Sequence, residues 1–150
     1  MATSLVKILV HLVFSTKHRV PLIDATLRSE LYPYMIGIVR RKGGTVIALG
    51  GMPDHVHVLL RLKAETPLAD LVRALKAGSS KWVHDRPEAI PTFAWQTGYA
   101  GFSVSQSMER AVKSYILNQE EHHRSARFDE ELVTLLKRHE VDFKPEFLFD

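Results

Sequence analysis

The chain has 150 residues, 45% of them hydrophobic, and contains no cysteine. This length suits one domain with a substantial core. Because cysteine is lacking, disulfides, thiolate metal sites and cysteine nucleophiles are excluded, and any bound metal needs nitrogen or oxygen ligands. The formal net charge of +3 permits a polyanionic partner without requiring one. The sequence contains no apolar run of about 18 residues and no signal-type cleavage site, so we expect a cytoplasmic protein without a membrane span.

The first half of the chain predicts a strand, a helix and a hairpin. Residues 5–14, LVKILVHLVF, are typical of a strand buried on both faces. Asp24 is a candidate N-cap for a helix that ends near Gly43, with Pro33 predicting a kink or a 3₁₀ start. The runs TVIALGGM and HVHVLLRL follow, joined by a turn-rich connection at residues 50–54. Two such strands predict a β-hairpin.

The second half predicts a helix, a strand and two further helices. Pro67 suits the first turn of a helix that runs toward Trp82. Residues 93–104, FAWQTGYAGFSV, predict a fourth strand, and Ser105 or Ser107 could cap a long helix. An amphipathic helix at about residues 130–138 follows.

The element order β-α-β-β-α-β plus C-terminal helices predicts an α+β fold, a ferredoxin-like split β-α-β unit with an antiparallel sheet. We expect one domain over residues 1–150, with its core reaching to about residue 104 and a C-terminal helical part from about residue 105.

Two histidines on the second hairpin strand are candidate metal ligands. His55 and His57 are two residues apart, so both imidazoles lie on one face of the strand while Val56 enters the other. Such a pair can bind a divalent ion and leave positions open for phosphate oxygens. The alternative is two structural histidines on a solvated sheet face. Asp54 could orient one of them or be a plain turn residue.

A tyrosine and a glutamine form the second candidate pair. Tyr115 and Gln119 are four residues apart, which places them on one face of a helix. A phenol with a pKa of about 10 is a weak nucleophile unless a metal or base assists it. The phosphodiester that it forms is nevertheless an aryl ester, which a sugar hydroxyl can attack later. The alternative is a packing tyrosine beside a solvated glutamine.

Taken together, the segments GGMPDHVHVLL, SSKW and VKSYILNQ resemble the single-tyrosine HUH transposases of the insertion-sequence 200/605 group. HUH denotes two histidines around a bulky hydrophobic residue, here His55-Val56-His57. The resemblance extends from HLVFSTKHRVPL through Trp95-Gln96 to HHR after Gln119.

The resemblance implies a metal-dependent transposase that acts on single-stranded DNA. Tyr115 would attack a phosphodiester to give a 5′-phosphotyrosine and a 3′-hydroxyl, with Mg²⁺ or Mn²⁺ bound by His55, His57 and Gln119. His123, one turn beyond Gln119, is a competing ligand. Relatives of this kind form dimers, in which the tyrosine helix of one subunit can serve the histidines of the other. They recognise imperfect hairpins at element ends.

Basic and aromatic side chains are candidates for DNA binding, with cations contacting phosphates and tryptophans stacking on bases. The candidates are Lys17, Arg19, Arg41, Lys76, Lys81, Trp82 and Trp95. For any single one of them, the sequence favours the simpler interpretation as a solvated cation or a core aromatic. Two other functions also remain open: a domesticated relative that binds structured DNA without transposing it, and a metal-dependent phosphohydrolase that uses water.

Overall fold

The computed structural model describes residues 3–124 and 126–150. The described residues form one four-stranded antiparallel sheet with helices on both faces. The strands are β1 Ile8–Ser15, β2 Gly44–Met52, β3 His55–Leu62 and β4 Ala100–Val104. The helices are α1 Ala25–Arg41, α2 Leu68–Asp85, α3 Glu109–Leu117, α4 Gln119–His122 and α5 Phe128–Arg138. Among these helices, none has both the length and the apolar character needed to cross a bilayer.

The strand order confirms the predicted ferredoxin-like topology. The sheet runs β2-β3-β1-β4, and each neighbouring pair is antiparallel. The hairpin of β2 and β3 turns through Pro53 and Asp54, so Gly50 and Gly51 belong to the strand rather than to the turn. In the split unit, the first and third strands are central. The histidine pair on β3 therefore lies in the interior of the sheet.

The two faces of the central strands have different neighbours. Leu12 and Phe14 of β1 and Val56 and Val58 of β3 pack into the main core with α1 and α2. The alternate residues of the same strands, including Val13, face the C-terminal helices. Burial on both faces explains why the sequence of β1 is nearly continuously apolar. β1 begins later than predicted, since Leu5 and Val6 are exposed.

The first helix begins where the sequence predicts. The Asp24 side chain accepts a hydrogen bond from the backbone N–H of Leu27 at 2.8 Å, which confirms the predicted N-cap. Pro33 lies inside α1, and the helix continues past it, so the predicted 3₁₀ start is wrong. Leu31 and Met35 on either side are fully buried. Their packing offsets the backbone hydrogen bond that proline cannot make. Pro67 is the N-cap of α2, one residue before the predicted first-turn position.

The structure corrects the extent of two elements predicted in the second half. The fourth strand is present, but β4 covers only Ala100–Val104, because the preceding Phe93 and Trp95 pack into the core from irregular backbone. Only an isolated bridge between Thr16 and Trp95 extends the pairing in the described residues. The predicted long helix is interrupted at Asn118, whose backbone is not helical, and α3 begins at Glu109 without a capping bond from a serine side chain. Tyr115 and Gln119 therefore lie on two consecutive helices.

Candidate active site and family membership

The paired histidines lie in the interior between the sheet and the C-terminal helices. His55 and His57 are both 0% exposed, and their ring centroids are 5.1 Å apart. Their side chains share one face of β3, as the alternation predicts, and Val56 packs on the other face. The ring of Phe128 from α5 stacks on that of His55 at 3.8 Å. The interpretation of two histidines on a solvated sheet face is therefore wrong.

Each histidine has a partner on its Nδ1 atom. His55 Nδ1 lies 2.7 Å from Asp54 Oδ1, and His57 Nδ1 lies 2.8 Å from His11 Nε2. A hydrogen bond at Nδ1 fixes the orientation of an imidazole and leaves Nε2 as the metal-binding atom. Both Nε2 atoms of the pair point toward the same carboxylate, that of Glu131.

Tyr115 reaches this site because α3 packs directly on β2. A Cβ atom at Gly50 would lie 2.2 Å from the carbonyl oxygen of Ile116, so only glycine allows this approach of helix and strand. The ring centroid of Tyr115 lies 5.8 Å from that of His57 in the same chain. Its hydroxyl donates a hydrogen bond to Oε2 of Glu131. Burial, followed by this hydrogen bond, raises the pKa of Tyr115 well above its usual value.

Gln119 also enters the site, although the helix breaks before it. Its side chain is buried, and Oε1 lies 3.2 Å from His55 Nε2 and 3.0 Å from His123 Nε2. Its amide nitrogen donates to the carbonyl of Tyr115 at 3.3 Å. The break at Asn118 thus leaves the glutamine beside the tyrosine. His123, the competing ligand candidate, borders the same space.

The carboxylate of Glu131 occupies the centre of the group. Its Oε1 lies 3.0 Å from His57 Nε2, 3.2 Å from His123 Nε2 and 3.5 Å from His55 Nε2. Burial alone would raise the pKa of Glu131, but hydrogen bonds from the three histidines hold this pKa well below its usual range. The side chain is therefore an ionised carboxylate that is only 7% exposed.

Sequence reasoning did not identify Glu131 or assign a role to His11. A signal for Glu131 exists in the pattern of α5, whose buried residues are Phe128, Glu131, Leu132, Leu135 and Leu136. A glutamate within an apolar helical stripe indicates a buried, partnered carboxylate. For His11, the signal is a polar residue inside a strand that is otherwise buried and apolar.

The donor atoms fit a divalent ion. The ligand atoms of His55, His57 and Glu131 all lie within 4.8 Å of one another. Donors at about 2.1 Å from an ion are separated from each other by about 3.0–3.4 Å. The distances of 3.0–3.5 Å between Glu131 Oε1 and the three imidazole Nε2 atoms are close to that spacing. The group could therefore hold a metal with little rearrangement.

Of the expected DNA-binding residues, Arg19 lies next to the site, where it lines a pocket with Asp54 and His123. Lys17 and Arg41 are exposed, and the Arg19 guanidinium lies 4.6 Å from the Phe149 ring centroid. The Lys76 ammonium donates to the carbonyls of Thr97 and Gly98.

The remaining candidates have partners of their own. Lys81 pairs with Asp85, and the ring of Trp82 stacks on Tyr34 at 5.3 Å between centroids. Trp95 is a core residue, packed against Phe14 and donating to Ser79, so it offers no open face for a base.

A groove of about 630 Å³ lies beside the site, between α1 and the α3–α4 segment. Gln119 and Asn118 line it on one side. Arg28 and Arg124 also contribute to its walls, where they pair with Glu120 and Glu121.

A comparison with known protein families identifies the family to which the chain belongs. A family model for IS200-like transposases matches residues 4–119, which include both histidines, the tyrosine and the glutamine. The chain belongs to this transposase family. This IS200-like transposase is 27% identical over 117 residues to the ISDra2 transposase TnpA of Deinococcus radiodurans, an alignment that covers 73% of the chain and 81% of that relative.

Solved structures give the same relationship. A crystal structure of a candidate transposase from Deinococcus radiodurans R1 superposes with a TM-score of 0.61 at 26% identity, covering 79% of this chain and 95% of that one. A REP-associated tyrosine transposase bound to a REP hairpin superposes with a TM-score of 0.59 at 15% identity, covering 77% and 68% of the two chains. The second likeness concerns the fold alone.

Proposed function

We propose that this transposase cleaves and rejoins single-stranded DNA through a 5′-phosphotyrosine intermediate on Tyr115. The observation that carries the proposal is the meeting, within one chain, of the Tyr115 hydroxyl and the Nε2 atoms of His55 and His57 around one anionic group. The hydroxyl that would attack the phosphate thus lies beside the two imidazoles that would hold the ion.

The proposed reaction exchanges one phosphodiester for another. The phenolic oxygen of Tyr115 attacks the phosphorus, the bond from tyrosine oxygen to phosphorus forms, and the bond from phosphorus to the 3′-oxygen breaks. The phenol loses its proton to solvent, and the departing 3′-oxygen takes one up. Attack by a 3′-hydroxyl on the phosphotyrosine reverses these changes and joins a new strand. Because an aryl phosphodiester is retained between the steps, rejoining needs no external energy source.

His55, His57 and Gln119 would hold Mg²⁺ or Mn²⁺, the ions that the family resemblance implies. When bound, such an ion supplies Lewis-acid polarisation of the scissile phosphate. Asp54 and His11 would keep the two imidazoles in the ligating orientation through their contacts at Nδ1. The close packing of α3 on β2 at Gly50 would hold Tyr115 next to the imidazoles.

The proposed substrate is single-stranded DNA with an imperfect hairpin. The REP-associated tyrosine transposase with the same fold was solved with a REP hairpin, which supports this choice. Phosphate contacts are proposed for Lys17, Arg19, Arg41, Lys76 and Lys81, with Trp82 as a stacking surface at the edge of α2. The groove lined by Arg28 and Arg124 would lead a strand toward Gln119. We also propose that the protein forms a homodimer, in which each subunit brings its own tyrosine to its own histidine pair.

Covalent adduct trapping tests the proposed function. The purified protein would be incubated with Mn²⁺ and labelled hairpin DNA, then denatured, and the adduct mapped by mass spectrometry. We expect an adduct on Tyr115 in the wild type, and none in Tyr115→Phe or His57→Ala. Tyr99→Phe, an exposed tyrosine, is the matched control. Cleavage without any adduct would instead indicate a water-using phosphohydrolase, and hairpin binding without cleavage would indicate a domesticated binder.

A further inference from the structure

We propose that Glu131 is shared between the metal and the nucleophile: one carboxylate oxygen completes the metal site, and the other fixes the hydroxyl of Tyr115 beside it. This inference rests on the proposed function, because it concerns the same site. It adds α5 to the catalytic unit. The family model ends at residue 119, so Glu131 lies outside the segment that defines the family.

The two oxygens of Glu131 have different partners. Oε1 faces the Nε2 atoms of His55, His57 and His123, whereas Oε2 accepts the hydrogen bond from Tyr115. A carboxylate can bind an ion with one oxygen and accept a hydrogen bond with the other. Because Oε1 would bind the ion while Oε2 holds the Tyr115 hydroxyl, the Glu131 side chain would fix the distance between the ion and the phenolic oxygen. A nucleophile held in this way loses less freedom when it attacks.

Because Glu131 is buried, its carboxylate needs hydrogen-bonding partners. A carboxylate that is 7% exposed is costly to bury unless charged or donor groups surround it. The partners that the structure gives it are all members of the site, three imidazoles and one phenol. Phe128, one turn earlier on α5, stacks on His55 and seats the helix over the histidine pair. The carboxylate thus enters the site from a helix that is anchored to one of the ligands.

An anionic ligand changes the electrostatics of the site. Two neutral imidazoles and a neutral amide leave the full double charge of the ion uncompensated. Adding Glu131 reduces the net charge of the occupied site by one and supplies a hard oxygen, which Mg²⁺ and Mn²⁺ prefer. We therefore expect Glu131 to contribute strongly to cation affinity.

A competing explanation makes the opposite prediction. If the carboxylate merely fills the space that the scissile phosphate takes during the reaction, it competes with the substrate. Neutralising Glu131 would then leave Mn²⁺ affinity unchanged and increase adduct formation. If Glu131 is a ligand, neutralising it weakens Mn²⁺ binding and slows adduct formation.

The test is titration of Mn²⁺ into the full chain without DNA, with unbound ion measured by electron paramagnetic resonance. Four variants would be compared with the wild type: Glu131→Gln, Glu131→Asp, the exposed neighbour Glu130→Gln and His57→Ala. We expect Glu131→Gln to weaken binding by at least about tenfold. Glu131→Asp should retain part of the affinity, and Glu130→Gln should match the wild type. At saturating Mn²⁺, adduct formation should fall in Glu131→Gln and recover partly in Glu131→Asp.

The control variant separates two kinds of failure. Wild-type Mn²⁺ affinity in Glu131→Gln, together with lost binding in His57→Ala, would overturn the role of Glu131 and leave the histidine site standing. Unchanged binding in His57→Ala would overturn the proposed metal site itself, and the role of Glu131 with it. Near-ultraviolet circular dichroism would verify that each variant is folded. If Glu131→Gln does not fold, the partial affinity expected of Glu131→Asp decides the question, and wild-type affinity in that variant would overturn the proposal.

Discussion

The Nε2 atom of His11 lies 2.8 Å from the Nδ1 atom of His57, and both rings are buried on the face of the sheet that the C-terminal helices cover. Burial, followed by the charge of His57, lowers the pKa of His11 to about 3, so His11 is neutral near pH 7. Because His57 Nε2 donates to Glu131, the Nδ1 atom of a neutral His57 accepts a hydrogen bond from His11 Nε2–H. If Nε2 instead binds an ion, the proton of His57 moves to Nδ1, and His11 Nε2 becomes the acceptor that orients the ring.

His11→Phe removes this acceptor while it retains the ring size. We expect about tenfold to hundredfold weaker Mn²⁺ binding, because an outer partner that orients a ligating histidine is lost. His11→Gln, which keeps an acceptor oxygen, should restore part of the affinity. The measurement is the same Mn²⁺ titration. Equal affinities in His11→Phe and the wild type would show that His57 is oriented by other contacts.

Gly50→Ala should separate the tyrosine helix from the sheet. The added Cβ would meet the Ile116 carbonyl oxygen at 2.2 Å, so α3 or β2 must shift. We expect a loss of about 1–3 kcal/mol in the free energy of unfolding, and slower adduct formation. Gly37→Ala in α1 is the matched control, since its nearest neighbour would be Arg41 Nη1 at 3.7 Å. Gly37→Ala should be neutral or stabilising in chemical denaturation, and an equal loss in both variants would argue against the contact.

Acid should destabilise the metal-free protein partly through His11. The folded-state pKa of this group is lowered from 6.5 to about 3, chiefly by burial. Its contribution to stability is therefore complete above pH 6.5 and is lost as pH falls from 6.5 toward about 3, because the unfolded chain takes up the proton first. Denaturant unfolding in EDTA at about pH 7.5 and about pH 5 would measure the loss. His11→Gln should lose less stability than the wild type over this interval, and an identical loss would exclude His11 as the titrating group.

Mixing two inactive variants tests whether one chain forms the whole site. Tyr115 and His55 meet in a single chain here, with α3 packed on β2 of the same chain. We expect co-expressed Tyr115→Phe and His55→Ala subunits, purified through two different tags, to give no adduct above background. Recovered adduct formation would instead establish that the tyrosine of one subunit serves the histidines of its partner.

The sequence predicts local structure best where one signal controls it. The Asp24 cap and the alternation around Val56 depend on neighbouring residues alone, and both predictions are confirmed. The segment before β4 is different. Its aromatic residues resemble a strand in composition, but Phe93 and Trp95 are drawn into the core by tertiary contacts that no local pattern contains. The helix break at Asn118 likewise has no strong local cause, since the sequence there has neither proline nor glycine.

Part of the site was also accessible from the sequence. His55 and His57 share a face because of strand geometry, and Tyr115 and Gln119 were paired by helical spacing. The two pairs are separated by 58 residues or more in the sequence, and their convergence depends on the packing of α3 on β2, which a sequence pattern does not reveal. Glu131 was missed for a similar reason. Its importance follows from where α5 docks, and only the structure gives that position.

The antiparallel pairing of β1 with β3 places His57 opposite Val13 and Val56 opposite Phe14. A shift of β3 by one residue would exchange the side chains on its two faces. Both imidazoles would then enter the hydrophobic core under α1 and α2, and Val56 would enter the polar site. The energetic penalty of that exchange keeps both imidazoles in the proposed active site. Selection for a well-packed core therefore also preserves the strand register that positions His55 and His57.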